Sequence, residues 1–153
     1  MKEQLIYYSV KFFAEFVRIL PINLALAIGK GIGMIAYYLD PKHKSLAYAN
    51  LNTAFAHEKN PGEIKKITKK LFQNYGQNLI ELLRMPLLSS EKFKDILTIE
   101  GKENIHESLK QNKGVILLAM HFGSWEIASL SCAMLGHPYK VLVKPQQKYS
   151  KLD

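Results

Sequence analysis

A histidine and a glutamate lie five residues apart in the segment His121-Phe122-Gly123-Ser124-Trp125-Glu126. A neutral imidazole can take a proton from a hydroxyl, and a carboxylate beside it orients the ring and stabilises its charged form. On a continuous helix the two side chains would point about 140° apart, but at a strand-turn-helix junction the chain can fold back. The spacing therefore predicts a general-base dyad at such a junction. Two structural alternatives stay open: His121 caps backbone groups, or Glu126 only complements a helix dipole.

The surrounding residues predict the elements that would hold this pair. The predicted strands are 97–99, 115–120 and 139–143, and the predicted helices between them are 102–112 and 126–135. A β-α-β-α-β order predicts a parallel sheet with right-handed crossovers. Sites in such sheets lie beyond the carboxyl ends of the strands, which is where His121 would stand. Ser124 would cap the following helix and place Glu126 in its first turn.

The first 40 residues are strongly apolar. Residues 5–20 carry three charges on one narrow helical stripe, so this predicted helix is either buried in protein or placed in a membrane interface. After Pro21, residues 22–39 would form a helix roughly 27 Å long, close to the hydrocarbon thickness of a bilayer. Lys30 near its middle would cost about 2.5–3.5 kcal/mol inside the bilayer. We expect membrane association, leave spanning open, and keep a buried hairpin of a soluble protein as the alternative.

The middle of the chain is predicted to be helical and basic. Residues 43–56 favour one helix, and Asn60-Pro61-Gly62-Glu63 is typical of the start of a second that ends before Pro86. On that second helix four lysines form either a solvated face or a docking patch for an acidic partner or anionic headgroups; they are Lys65, Lys66, Lys69 and Lys70. The glycines at 29 and 33 lack the spacing of a phosphate loop, so we expect them to form a close-packing face between helices.

Composition excludes several classes of protein. With 153 residues, 48% of them hydrophobic, the chain is neither low-complexity nor globally disordered. A single cysteine, Cys132, excludes an internal disulfide and a cysteine-rich zinc site, and favours a reducing compartment. The net charge of +8 favours acidic partners, but no aromatic residues are interleaved for base stacking, so nucleic acid is not an expected partner. No His-Glu-x-x-His pattern is present, and no metal site is expected.

Several stretches resemble blocks of one known family. Residues 121–126 resemble the H-x4-(D/E) motif of the glycerolipid acyltransferases, and their Phe, Gly and Trp-Glu resemble the bacterial lipid A late acyltransferases in particular. The other similar stretches are 50–55, 72–76, 81–83, 100–101, 114–118, 144–145 and 152–153. The apolar N-terminus is similar to the membrane anchor of that family. The similarity therefore extends over the whole chain.

The resemblance implies an enzyme that moves a fatty acyl chain from acyl carrier protein or acyl-CoA to a hydroxyl of a membrane glycolipid in lipid A biosynthesis. It assigns His121 as general base and Glu126 as its orienting partner, and it places Gly123, Ser124 and Lys144 at the substrate. Lys144 stands where the family usually has Arg, and it keeps the charge but loses the bidentate fork. The resemblance also implies direct transfer without metal or cofactor, at the bacterial inner membrane with the active site facing the cytoplasm.

The predicted fold class is therefore α/β, with N-terminal membrane-associated helices, a helical segment and a partial parallel β-α-β-α-β sheet. The predicted divisions are a membrane-associated anchor at 1–40, a basic helical segment at 41–90 and the first part of a catalytic acyltransferase domain at 91–153. The family pattern is about half complete where this chain stops, so we expect the N-terminal half of an enzyme. Two other functions stay open: a membrane-bound lipid hydrolase that uses the same dyad to activate water, and a non-catalytic membrane-binding fragment.

Overall fold

The computed structural model describes residues 2–118, 120–134, 136 and 139–142 of the chain. Within those residues the chain forms seven α-helices and one 3-10 turn. The helices are α1 (Lys2–Ile19), α2 (Ile22–Leu39), α3 (Pro41–Phe55), α4 (Pro61–Arg84), α5 (Ser90–Ile96), α6 (Lys102–Leu109) and α7 (Trp125–Met134), and the turn is Met85–Leu87. They fall into two compact units. The first unit is Met1–Arg84 with Lys140–Asp153, and the second is Met85–Tyr139.

Proline and capping residues set the helix boundaries of the first unit, as the sequence predicts. Pro21 separates α1 from α2, and Pro41 is the first residue of α3. The Asp40 carboxylate caps α3, because it accepts a hydrogen bond from the His43 backbone N–H at 3.0 Å and lies 2.6 Å from His43 Nδ1. The backbone hydrogen bond, then the ring contact, hold the pKa of the Asp40 carboxyl below its usual value, since both favour the ionised form.

The start of α4 is the capping box that the sequence predicts. The Asn60 side-chain oxygen accepts a hydrogen bond from the Glu63 backbone N–H at 3.0 Å. In return, the Glu63 carboxylate accepts one from the Asn60 backbone N–H at 2.9 Å. Two backbone donors at the helix N-terminus are thereby satisfied, which fixes where this 24-residue helix begins.

α2 and α4 pack with their backbones in direct contact. A Cβ atom at Gly29 would lie 2.6 Å from the Gly76 carbonyl oxygen. A Cβ at Gly33 would clash with the Phe72 carbonyl, and one at Gly76 would clash with the Gly29 carbonyl. The prediction that Gly29 and Gly33 form a close-packing face is therefore confirmed, and Gly76 completes it from α4.

The ends of α1 and α4 are joined by two arginines. Arg18 of α1 donates through Nε to the Leu83 carbonyl at 2.7 Å. Arg84 of α4 donates to the Val17 carbonyl and, at 2.8 Å, to the Leu20 carbonyl. Each cation thus meets carbonyl groups at the C-terminal end of the other helix, where the helix dipole is negative. Beside this pair, the side chains of Val17, Ala25 and Ile80 form a buried cluster.

The predicted parallel sheet is not present, and this part of the fold class is wrong. No strand occurs among the described residues, which include 97–99 and most of 115–120 and 139–143. Residues 115–118 have no regular secondary structure, and the side chains of Ile116 and Leu118 are 97% and 96% exposed. A strand is stabilised by a neighbour that completes its hydrogen bonds and covers its side chains, and an apolar run alone supplies neither. The division of the chain at residues 40 and 90 stays a prediction.

Candidate active site

The predicted site residues lie at the entry to α7 in the second unit. α7 begins at Trp125, and Glu126 stands in its first turn, as the sequence predicts. The first intrahelical hydrogen bond runs from the Ala128 N–H to the Ser124 carbonyl at 3.1 Å. Ser124 is therefore the residue that immediately precedes the helix. The helix is ten residues long and is tied to Tyr139, whose hydroxyl donates to the Ser129 carbonyl at 2.7 Å.

His121 lies in a tight turn before this helix. The Phe122 N–H donates to the Met120 carbonyl at 2.9 Å, so a three-residue turn is centred on His121. Gly123 then adopts a φ of +62°, the left-handed conformation that an L side chain rarely takes. The chain therefore bends at His121 and again at Gly123, just before the helix. The His121 side chain is exposed to solvent, as a group that meets a substrate must be.

The nearest aromatic neighbour of His121 is Trp125. Their ring centroids are 5.1 Å apart and the ring planes are inclined by 44°. Trp125 belongs to the motif, but no role is predicted for it from the sequence. The sequence feature that could have indicated this contact is the position of Trp125 four residues after His121, because a turn followed by a helix start can bring such residues together. The indole restricts the orientations that the imidazole can adopt.

The structure places His121 and Glu126 on the same turn-helix junction without a direct bond between them. Within the described part of the chain, no hydrogen bond or ion pair joins their side chains. Glu126 is partly buried, whereas His121 is exposed. Catalytic hydrogen bonds are often long in a protein without substrate and tighten when the substrate binds. The dyad stays a prediction.

The two other described candidates, Gly123 and Ser124, differ in their surroundings. The position of a Cβ at Gly123 is in open space, so the backbone conformation and not close packing requires glycine at that point. The Ser124 hydroxyl is buried and has no hydrogen-bond partner among the described residues. It therefore does not form the side-chain cap that the sequence predicts, although Ser124 occupies the capping position. A buried hydroxyl without a partner is unusual, because buried polar groups are almost always hydrogen-bonded.

Lys144, the remaining predicted substrate-binding residue, lies outside the described residues. Among the residues that the structure does describe, no three His, Cys, Asp or Glu side chains form a group that could hold a metal ion. The described residues at this junction include an imidazole, a carboxylate, a hydroxyl and the first N–H groups of α7, which no helix can satisfy internally. Such a set suits proton transfer at a hydroxyl together with stabilisation of a developing oxyanion.

Comparison with known proteins defines the family. The family model described as bacterial lipid A biosynthesis acyltransferase matches residues 1–153, so the chain belongs to that family. The resemblance inferred from the sequence is thereby confirmed. No solved structure shows a significant match to the chain.

Individual relatives agree with this family. The chain is 26% identical over 108 residues to the lipid A biosynthesis palmitoleoyltransferase of Escherichia coli (strain K12), a match that covers 71% of this chain and 35% of the relative. The lipid A biosynthesis acyltransferase of Shigella flexneri gives the same values. The lipid A biosynthesis lauroyltransferase of Escherichia coli (strain K12) is 24% identical over 115 residues, covering 75% of this chain and 37% of that protein. The chain thus spans about a third of the length of these relatives.

Proposed function

We propose that this chain carries the general base of an O-acyltransferase that adds a fatty acyl chain to a membrane glycolipid in lipid A biosynthesis. The observation that carries the proposal is the position of His121, exposed in a turn that leads directly into α7, within a chain of the lipid A acyltransferase family. Two of the relatives are a palmitoleoyltransferase and a lauroyltransferase of lipid A biosynthesis. The donor would be acyl carrier protein or acyl-CoA, both of which present the acyl group as a thioester.

In the proposed step, the His121 imidazole takes the proton of the acceptor hydroxyl while the hydroxyl oxygen attacks the thioester carbonyl carbon. The carbon–sulfur bond then breaks, and the leaving thiolate takes the proton back from the imidazolium. Glu126 stabilises the charged ring during this exchange. Backbone N–H groups in the first turn of α7 stabilise the oxyanion of the tetrahedral intermediate, and the Ser124 hydroxyl offers a further donor. Lys144 would meet a phosphate of the acceptor or donor.

The partners and location follow from the same proposal. The acceptor is a lipid, and the first unit exposes an apolar surface suited to a membrane. An acidic carrier protein would be attracted by the exposed lysines at 65, 66 and 70 on α4. We place the enzyme at the bacterial inner membrane, with its active site facing the cytoplasm where thioester donors are made.

The experiment uses the full-length enzyme that contains this chain, an acyl-thioester donor and a lipid A precursor. His121→Ala is expected to lower the rate of acyl transfer by roughly a hundred- to ten-thousand-fold, the usual contribution of a general base. Glu126→Gln should lower it by a smaller factor and leave donor binding intact. His57→Ala, at an exposed histidine in the turn after α3, is the matched control and should transfer at the wild-type rate. Full activity of His121→Ala would contradict the proposal.

A further inference from the structure

α2 has two faces with different surroundings. Ala25, Gly29, Gly33 and Tyr37 form the buried face that packs on α4. The opposite face is exposed and apolar, with Leu24, Ile35, Tyr38 and Leu39 among its residues. The two strongly polar residues, Asn23 and Lys30, lie together at one edge of that exposed face, roughly 80–100° round the helix from the contact with α4. An apolar face with its polar residues at the edge is typical of a helix that lies in a membrane interface.

By length and composition α2 is the one described helix that could cross a bilayer, and 22% of it is buried within the protein. Its contact with α4 argues against crossing. Gly29 and Gly33, at the middle of α2, touch α4 between Phe72 and Ile80. A bilayer-spanning α2 would therefore carry the middle of α4 into the hydrocarbon region with it.

The outer side of α4 is unsuited to hydrocarbon. Lys70 and Asn74 are exposed on the side of α4 roughly 120–160° away from Gly76, which is the side turned away from α2, and Leu71 and Tyr75 lie exposed beside them. Asn74 is level with the glycine contact, so it would sit near the bilayer centre if α2 crossed. A lysine near that depth alone costs about 2.5–3.5 kcal/mol. The arrangement instead has one lipid-compatible side, formed by α2, and one aqueous side, formed by α4.

Two features of the first unit favour an anionic membrane surface as the occupant of the apolar face. α1 adds an exposed apolar stripe on a single helical face, at Leu5, Tyr8, Phe12, Phe16 and Ile19. Residues 1–84 contain twelve Lys or Arg and six Asp or Glu, a net charge of +6. Basic residues near an anionic surface are each attracted to it, so this excess favours an anionic bilayer over a neutral one as the lipid that covers the apolar face.

We propose that α2 docks flat on the surface of an anionic bilayer, with its apolar face in the lipid and α4 on the aqueous side, and that it does not cross the membrane. This placement rests on the membrane role in the proposed function and specifies how the first unit meets the lipid.

The test measures depth in vesicles of phosphatidylcholine and phosphatidylglycerol. In a Cys132→Ser background, a single cysteine replaces Leu24, Gly31 or Tyr38. These three positions lie on the exposed face and span about 21 Å along the helix. Each introduced cysteine is labelled with an environment-sensitive fluorophore. Gly31 has open space at its Cβ, so the substitution meets no neighbour. Lipids with a quencher near the headgroup or near the bilayer centre report depth. Flat docking predicts that all three labels are quenched mainly by the shallow quencher and to a similar extent.

A crossing helix would give a different pattern, with the label at 31 quenched mainly by the deep quencher and those at 24 and 38 by the shallow one. That result, or failure of the chain to float with the vesicles, would overturn the proposal.

Lys30→Gln should weaken binding to anionic vesicles about five-fold, and Lys70→Gln, on the aqueous side, should weaken it less. Equal losses for the two variants would also contradict the placement. None of these readouts depends on acyl transfer, so loss of docking and loss of catalysis remain distinguishable.

Discussion

At the residue scale, the entry to α7 depends on one glycine and one histidine. Gly123 has a φ of +62°, and the adjacent turn presents His121 to solvent against the ring of Trp125. The motif was sufficient to predict which residues stand at this junction. It was not sufficient to predict their contacts, because those depend on rotamers and on a turn conformation that only the folded chain defines.

Gly123 gives the first prediction at this scale. Gly123→Ala is expected to destabilise the second unit by about 1 kcal/mol, since alanine is strained in the left-handed region. Gly123→Asn should cost less, because asparagine enters that region more readily. Urea denaturation followed by tryptophan fluorescence at Trp125 measures both. Equal stability of the alanine variant and the wild type would show that the turn does not need this conformation.

Asp40 gives a prediction about pH. The pKa of its carboxyl is lowered by the His43 backbone N–H and ring, so its contribution to stability is fully present above the unfolded pKa of about 3.9. That contribution to stability is lost as the pH falls through the lowered pKa that the Asp40 carboxyl has in the folded protein. Asp40→Asn should therefore be less stable than the wild type at neutral pH, and the difference should shrink in acid. Urea denaturation at a series of pH values tests this, and a difference that grows in acid would contradict it.

At the element scale, the first unit is organised by the contact between α2 and α4. The sequence predicted both helices and the packing role of Gly29 and Gly33, because prolines, a capping box and small-residue spacing are local signals. It could not identify Gly76 as their partner, since that residue lies more than forty positions away in the chain. The reciprocal arginine contacts of α1 and α4 were also missed, because hydrogen bonds to carbonyls leave no trace in residue spacing.

The glycine contact makes a paired prediction. Gly76→Ala should destabilise the first unit by about 3 kcal/mol, because its new Cβ would clash with the Gly29 carbonyl and the helices must move apart. Gly31→Ala, on the same helix pair but with open space at the Cβ, should instead stabilise it by about 0.5–1 kcal/mol through its helix propensity. Thermal and urea denaturation measured by circular dichroism distinguish the two. Similar effects of both substitutions would show that the close contact is not formed.

At the scale of the whole molecule, local patterns correctly predicted most of the helices but also predicted a parallel sheet that the described residues do not form. The run at 115–118 has the composition of a buried strand, yet its side chains are exposed and no strand lies beside it in the part of the chain that the structure describes. A helix forms its backbone hydrogen bonds within one segment, so the sequence of that segment can specify it. A strand forms them with a neighbouring strand, so its own sequence is not sufficient to specify it. The chain corresponds to about a third of the relatives it matches, and its family membership extends over all 153 residues.

The most direct measurement follows the fate of a radiolabelled acyl group supplied as a thioester to the full-length enzyme in the presence of a lipid A precursor. The account predicts that the label moves to the glycolipid, that little free fatty acid forms, and that His121→Ala stops the transfer whereas His57→Ala does not. Release of the label mainly as free fatty acid would indicate hydrolysis. Undiminished labelling of the glycolipid by the His121→Ala enzyme would remove the general base on which the proposed mechanism depends.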